Sequence, residues 1–282
     1  MGKTSGFTRA MLVIGFAFLY LPLICLVVYS FNASTLVTVW GGFSMKWYGR
    51  LMRNQEVLSA AWLSFRLAAV SSFVGVVLAT FAGYALARIR RFRGSTLFAG
   101  MVSAPMVMPE VITGLSVLLL VFELQMLLKN TPFSFERGFL TIFFGHATLI
   151  MSYATVMVRA RLTEIDEKLE QAAMDLGARP LKVFFLITLP LIAPALLSAF
   201  LLGITLSLDD LVIASFLSGP GSTTLPQVIF AKIRRGLDPQ MNVLATLLIV
   251  VIGALVVAGN YVMMKSQAKR LRQMQEARRA NL

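Results

Sequence analysis

The stretch EQAAMDLGARPLKVFFLITLP, residues 170–190, stands between two long apolar segments at 138–158 and 183–208. It opens as a charged amphipathic helix and turns at Gly177-Ala178-Arg179-Pro180. Ile165, Leu169, Ala172, Ala173 and Leu176 recur at helical spacing and form one apolar stripe, with Glu167, Lys168, Glu170 and Asp175 off it. Asp166 is placed to cap the start, Gly177 to end the helix in the left-handed conformation, and Pro180 to open the next helix. An interfacial helix can instead lie on lipid. Two alanines and a glycine in the stripe suit close docking against protein better than lipid anchoring. A short stiff helix tied by a tight turn to an apolar segment can pass a push from a soluble partner into the membrane.

Working outward, 57% of the 282 residues are hydrophobic and 14% charged, with a mean hydropathy of +0.78. Soluble domains are about one quarter charged, so the composition is that of a membrane protein. Runs at 11–29, 67–87, 138–158, 183–208 and 239–264 carry no charge, and 95–122 is interrupted only by Glu110. A span needs about 20 such residues. The first run is too long for a signal-peptide core, and no small-residue cleavage site follows at Ser30-Phe31-Asn32, so it reads as a retained span. Residues 211–231 are also uncharged, but GPGSTT at 219–224 would break a helix at mid-bilayer. They read as two short pieces folding back on the outer side. Six spans with both termini inside place seventeen basic residues in inner segments and eight in outer ones, with Arg66 at a span edge. That excess follows the rule that Lys and Arg collect on the cytoplasmic side. A seventh span would export the basic tail.

The same rule accounts for the formal charge of +13 without nucleic acid as a partner. Cys25 is alone and can form no internal disulfide, and His146 is the sole histidine, with no cluster to make a metal site. His146 lies in an apolar run with no Ser or Cys placed to use it, so it reads as structural. Gly2-Lys3-Thr4 mimics the end of a phosphate loop, yet the earlier glycine and preceding strand cannot exist with one residue upstream. No ATP site is expected in this chain.

The spacing Ala172-Ala173, three residues, Gly177, nine residues, Ile187-Thr188-Leu189-Pro190 resembles the EAA motif of binding-protein-dependent ABC importer permeases. In that family the loop is the coupling helix seated in a groove of the ATPase subunit. The motif's acid is here Gln171, with Glu170 one place earlier and pointing about 100° away around the helix. The resemblance runs from about 58 to 264. It includes GYALARIRRFRG (83–94), SAPMVMPEVITG (103–114), SLDDLVIASFLSGPGSTTLP (207–226) and, earlier, YSFNAS (29–34). Together these are similar to the inner-membrane permease subunits of polyamine importers, most of all those for putrescine.

The resemblance implies an all-α membrane protein of six transmembrane helices, N-in and C-in, the transmembrane domain of a type I ABC importer in the bacterial inner membrane. It implies a first span and outer loop at 1–57, the permease domain at 58–264 with its coupling loop at 161–190, and a basic cytoplasmic tail at 265–282. ATPase coupling is expected of Glu170, Gln171, Ala172, Ala173, Asp175, Gly177, Leu189 and Pro190. The implied partners are an ATPase subunit dimer holding ATP and Mg²⁺, a second homologous permease subunit, a periplasmic polyamine-binding protein docking around 40–48 and 218–224, and the bilayer. No cofactor is expected on this chain.

Acids at membrane depth are costly and usually face a cavity or a partner. Glu110, Asp209 and Asp210 therefore become candidates for the path of a di- or triammonium ion, whose lost hydration carboxylates can replace by charge-assisted hydrogen bonds. Tyr84 and Tyr153 are mid-span aromatic candidates. The competing reading makes Asp209 or Asp210 a cap for a helix starting near Leu211. Pro105 and Pro109 are expected to kink the third span, and Gly219, Pro220 and Gly221 to help close an outer gate. A permease for another cationic or organic solute shares the elbow but, for an anion, would call for basic residues at depth. An ATP-independent secondary transporter would show internal inverted repeats, and would give the elbow no purpose.

Overall fold

The computed structural model describes residues 5–89, 92–236 and 238–280, with side chains left aside at 262, 263 and 266–280. Gly2-Lys3-Thr4, Arg90 and Arg91 lie outside the described residues, as do the side chains of most of the basic tail. Among the described residues the regular structure is helical, apart from one isolated bridge, Asn32 to Phe43. In chain order the helices are α1 (Gly6–Ser30), α2 (Lys46–Leu51), α3 (Gln55–Arg88), α4 (Ser95–Val107), α5 (Glu110–Leu128), α6 (Phe139–Glu164), α7 (Lys168–Asp175) and α8 (Pro180–Val183). A π-helical turn, Phe184–Thr188, leads into α9 (Leu189–Asp209), followed by α10 (Val212–Leu217), α11 (Leu225–Arg235) and α12 (Pro239–Ala280). Among the described residues, six helical segments are long and apolar enough to cross a membrane: Gly6–Ser30, Gln55–Arg88, Glu110–Leu128, Phe139–Glu164, Pro180–Asp209 and Pro239–Tyr261.

The third span differs from its expected form. It is not one kinked helix over 95–122 but two, α4 and α5, parted at Met108-Pro109. Proline disfavours helical backbone in the residue before it, and Met108 accordingly takes ψ 144°. Pro105 sits inside α4. The uncharged segment at 211–231 folds as two short helices, α10 and the start of α11, around an irregular 218–224.

The chain divides into two compact units. The first comprises 1–58 and 228–258. Its loop after α1 is organised by Asn32, buried at 2% exposure. The Asn32 amide donates to the Val39 carbonyl, its Oδ1 accepts from the N–H groups of Gly41 and Ser34, and its own carbonyl accepts from Trp47 Nε1. Lys46 and Arg50 both lie over the Trp47 ring at 4.8 Å, within cation–π range.

The second unit comprises 59–227 and 259–282. Its centre is α6, which packs on α4, α9 and α10. Close helix approach within membranes relies on small residues. Ile150 of α6 fills the space that a side chain at Gly75 or Gly203 would need, with a Cβ at either position under 3 Å from it. At the outer end, Thr141 donates to the Leu217 carbonyl (2.7 Å) and so joins α6 to α10.

Candidate functional site: the elbow and the two helix breaks

The elbow begins where Asp166 Oδ1 accepts the Lys168 N–H (3.0 Å), in the Asx turn that leads into α7. It ends in paired bonds from Ala178 N–H to the Ala173 carbonyl and from Gly177 N–H to the Met174 carbonyl. Those are the two bonds of a Schellman motif, with Gly177 at φ +84°. Pro180 then opens α8 behind Arg179. Turn chemistry legible in the sequence thus closes the elbow where expected.

Which face of α7 points inward is another matter. Leu169, Ala172 and Leu176 of the apolar stripe are exposed, Leu176 at 89%, as are Met174 and the following Leu181. Gln171 and Asp175 are exposed too, and Ala173 is half-buried. Glu170 is the buried side chain of α7. Its carboxylate accepts from Arg88 Nε at 3.0 Å and Arg88 Nη2 at 3.1 Å, and its Oε1 also accepts the Thr188 hydroxyl at 2.8 Å. Arg88 donates further to the carbonyls of Leu162 (2.9 Å) and Ile165 (3.4 Å), where α6 ends. Glu167 stands 3.6 Å from the same guanidinium. Sequence reasoning placed Glu170 off the stripe and missed Arg88 altogether; the one available signal was an arginine closing a span in GYALARIRRFRG. Leu189 and Pro190 form the first turn of α9 directly behind the π-helical turn.

The adjacent acids Asp209 and Asp210 occupy different environments. Asp209 ends α9 and is exposed. Asp210 is buried, with its side chain 3% exposed. Its carboxylate accepts the N–H groups of Ile213 (3.1 Å) and Ala214 (2.7 Å) in the first turn of α10, and His146 Nε2 lies 2.9 Å away. The expectation that no serine serves His146 is overturned: Ser207 Oγ lies 2.7 Å from Nδ1. Ser207 and His146 fall 61 residues apart in sequence, so no local pattern could pair them. The three form a Ser-His-Asp chain, but Ser207 is 5% exposed and Asp210 is committed to α10. A nucleophile must reach its substrate; here the trio ties α6, α9 and α10 together.

Glu110 is the first residue of α5, beside the break at Met108-Pro109, and is exposed. Helices α5 and α10 pack together, with a Cβ at Gly114 falling 3.5 Å from Ile213 Cα and 2.8 Å from the Phe216 ring. Val121 of α5 and Ile213, Ala214 and Leu217 of α10 belong to one buried apolar cluster. Glu110 opens α5 four residues before Gly114, and Asp209 precedes Ile213 by four residues in the chain. Tyr153 packs on the cluster around Ile213, and Tyr84 on the one around Val158, where it meets Phe184 edge-on at 5.4 Å.

The outer foldback is tightly held. Gly219 N–H donates to Ser222 Oγ (2.7 Å), Gln227 Nε2 donates to Ser218 Oγ (3.1 Å), and the Leu225 N–H donates to Ser64 Oγ (2.8 Å). Gly219 lies against the Arg137 carbonyl with no room for a side chain, Pro220 is exposed, and Gly221 takes φ +72°. No group of three or more His, Cys, Asp or Glu residues that could hold a metal occurs among the described residues.

Three comparisons bear on these features. The chain is 50% identical over 268 residues to the putrescine transport system permease protein PotI of Escherichia coli, covering 95% of this chain and 94% of that one. It is 36% identical over 247 residues to the spermidine/putrescine transport system permease protein PotC of Escherichia coli, covering 88% and 90%. In three dimensions it resembles a bacterial ABC transporter involved in the import of the acidic polysaccharide alginate, with a TM-score of 0.65, 17% identity, and coverage of 94% of this chain and 99% of that one. Residues 57–273 match the family described as binding-protein-dependent transport system inner membrane component, and the chain belongs to that family of ABC importer permeases.

Proposed function

We propose that this chain is the membrane permease subunit of an ATP-driven polyamine importer, carrying putrescine inward by alternating access. The observation that carries the reading is the elbow: a short helix fixed to the spans through a buried carboxylate, with Leu176 and Leu181 exposed at its tip. Apolar residues exposed on a cytoplasmic turn suit a groove in a partner ATPase, whose subunits would hold ATP and Mg²⁺. This chain would bind neither. A second, homologous permease subunit would complete the membrane pathway, and a periplasmic binding protein would deliver substrate to the outer loops.

The names of the 50% and 36% identical relatives support a polyamine as substrate. So does the chemistry of the helix breaks. Glu110 and Asp209 are the exposed acids there, and a diammonium ion shedding water needs such acceptors. In this reading Asp210 serves the path by holding the break open, and Gly219, Pro220 and Gly221 close its outer end. The test is uptake of labelled putrescine and of spermidine, each competed by the other and by a neutral amino acid, in cells carrying the partner subunits with or without this chain. Saturable uptake lost with the chain is expected. An assembled complex that moves neither amine would overturn the polyamine reading and leave the permease family in place.

A further inference from the structure

Helix α7 has an unusual attachment. Glu170 is its only buried side chain among the described residues, while its apolar residues Leu169, Met174 and the flanking Leu176 face outward. A helix docked by hydrophobic packing shows the opposite pattern. The anchor is instead one ion pair, with Arg88 and Glu170 side chains 7% and 9% exposed. Two guanidinium N–H groups meet the two carboxylate oxygens, a fork geometry that fixes direction as well as distance. The pair also reaches three membrane helices. Arg88 closes α3, its Nη groups hold the last carbonyls of α6, and Glu170 accepts from Thr188 in the π-helical turn that begins the span of α9. A π-helical turn is a local irregularity in backbone bonding, often found at functional sites. Here it sits at the joint between elbow and span.

Resting on the permease reading above, we propose that Arg88 and Glu170, seconded by Thr188, are the positioning residues through which displacement of α7 reaches the membrane helices. Gln171, at the neighbouring helix position, faces outward toward the partner. Glu170 thus acts inward, on its own chain, and its charge serves transmission rather than ATPase recognition. A force applied at Leu176 moves α3, α6 and α9 as one body while the clamp holds. Without the clamp, α7 swings on its turns and the spans stay behind.

The test uses the full complex in proteoliposomes, with Glu170→Gln, Arg88→Lys, Thr188→Val and the exchange Arg88→Glu/Glu170→Arg. Two readouts are taken: substrate moved per ATP hydrolysed, and nucleotide-dependent amide hydrogen exchange at 168–176 and 184–190. Glu170→Gln is expected to assemble and to hydrolyse ATP, with transport per ATP falling about ten-fold, within the usual range of coupling between sites. Nucleotide should change exchange in both segments of the parent protein but only at 168–176 in Glu170→Gln. Thr188→Val, which removes one bond and keeps the shape, should lie between. The exchange of charges should recover part of the ratio. A merely structural role would lower yield, hydrolysis and transport together at constant ratio and leave exchange in the two segments linked; that result overturns the proposal. Should the parent complex move neither putrescine nor spermidine, the polyamine reading fails, while the linked exchange still decides the clamp.

Discussion

At the scale of single residues, the two adjacent acids show how far sequence and structure part. SLDD at 207–210 offered two carboxylates at membrane depth and two uses for them, cation path or helix start. Structure gives the helix start to Asp210. Asp210 accepts two N–H groups of α10 and pairs with His146, a residue 64 positions away, while Asp209 stays exposed. No periodicity could have chosen between neighbours, because the choice depends on a distant imidazole. Asp210→Asn should cost about 1–3 kcal/mol, since one amide oxygen cannot replace both carboxylate oxygens and leaves a buried N–H of α10 without its acceptor. Thermal unfolding of the purified complex would show it as a lowered midpoint. Asp209→Asn should leave that midpoint where it is and lower the rate of amine uptake. If the two substitutions exchanged phenotypes, Asp210 would be the path residue.

At the scale of elements, turn chemistry was the most legible part and facing the least. Gly177 was recognisable as a left-handed terminator because few residues tolerate positive φ, and it takes φ +84° in a Schellman motif. The break in the third span was half legible: Pro109 announced an irregularity, but whether it bends or ends a helix depends on what packs against the freed backbone. The inward face of α7 was not legible at all. The apolar stripe read as a docking face for a partner, and most of it is exposed, but nothing in the pattern singled out Glu170 as the buried side chain, because its partner Arg88 lies 82 positions away. Gly177→Leu should therefore act through the backbone, because nothing lies within 4 Å of a Cβ there while an L side chain at positive φ costs about 1–2 kcal/mol. Transport per ATP should fall for Gly177→Leu and stay near the parent value for Gly177→Asn, since Asn visits that region more readily. Equal losses in both variants would place the effect in the side chain rather than in the turn.

At the scale of the whole molecule, hydropathy gave the number of spans and the place of five of them, because a bilayer imposes a length, while the third, expected at 95–122, is centred on Glu110–Leu128. What hydropathy could not give is the polar interior of the bundle: Arg88, Glu170, His146 and Asp210 are each paired across elements far apart in sequence. Orientation rests on charge alone, seventeen basic residues in the segments assigned inside against eight outside. That asymmetry puts the elbow and the foldback on opposite sides of the membrane. Cys25 is the sole cysteine, so Cys25→Ser gives a background for single-cysteine labelling. Leu176→Cys, 89% exposed in the elbow, should react with an impermeant thiol reagent only in inside-out vesicles. Thr223→Cys in the exposed part of the foldback should react only in intact spheroplasts. Labelling of both positions from one side would require an odd number of crossings between 176 and 223 to be abandoned. It would also detach the elbow from the ATPase side of the membrane, since the single span of α9 is what separates the two.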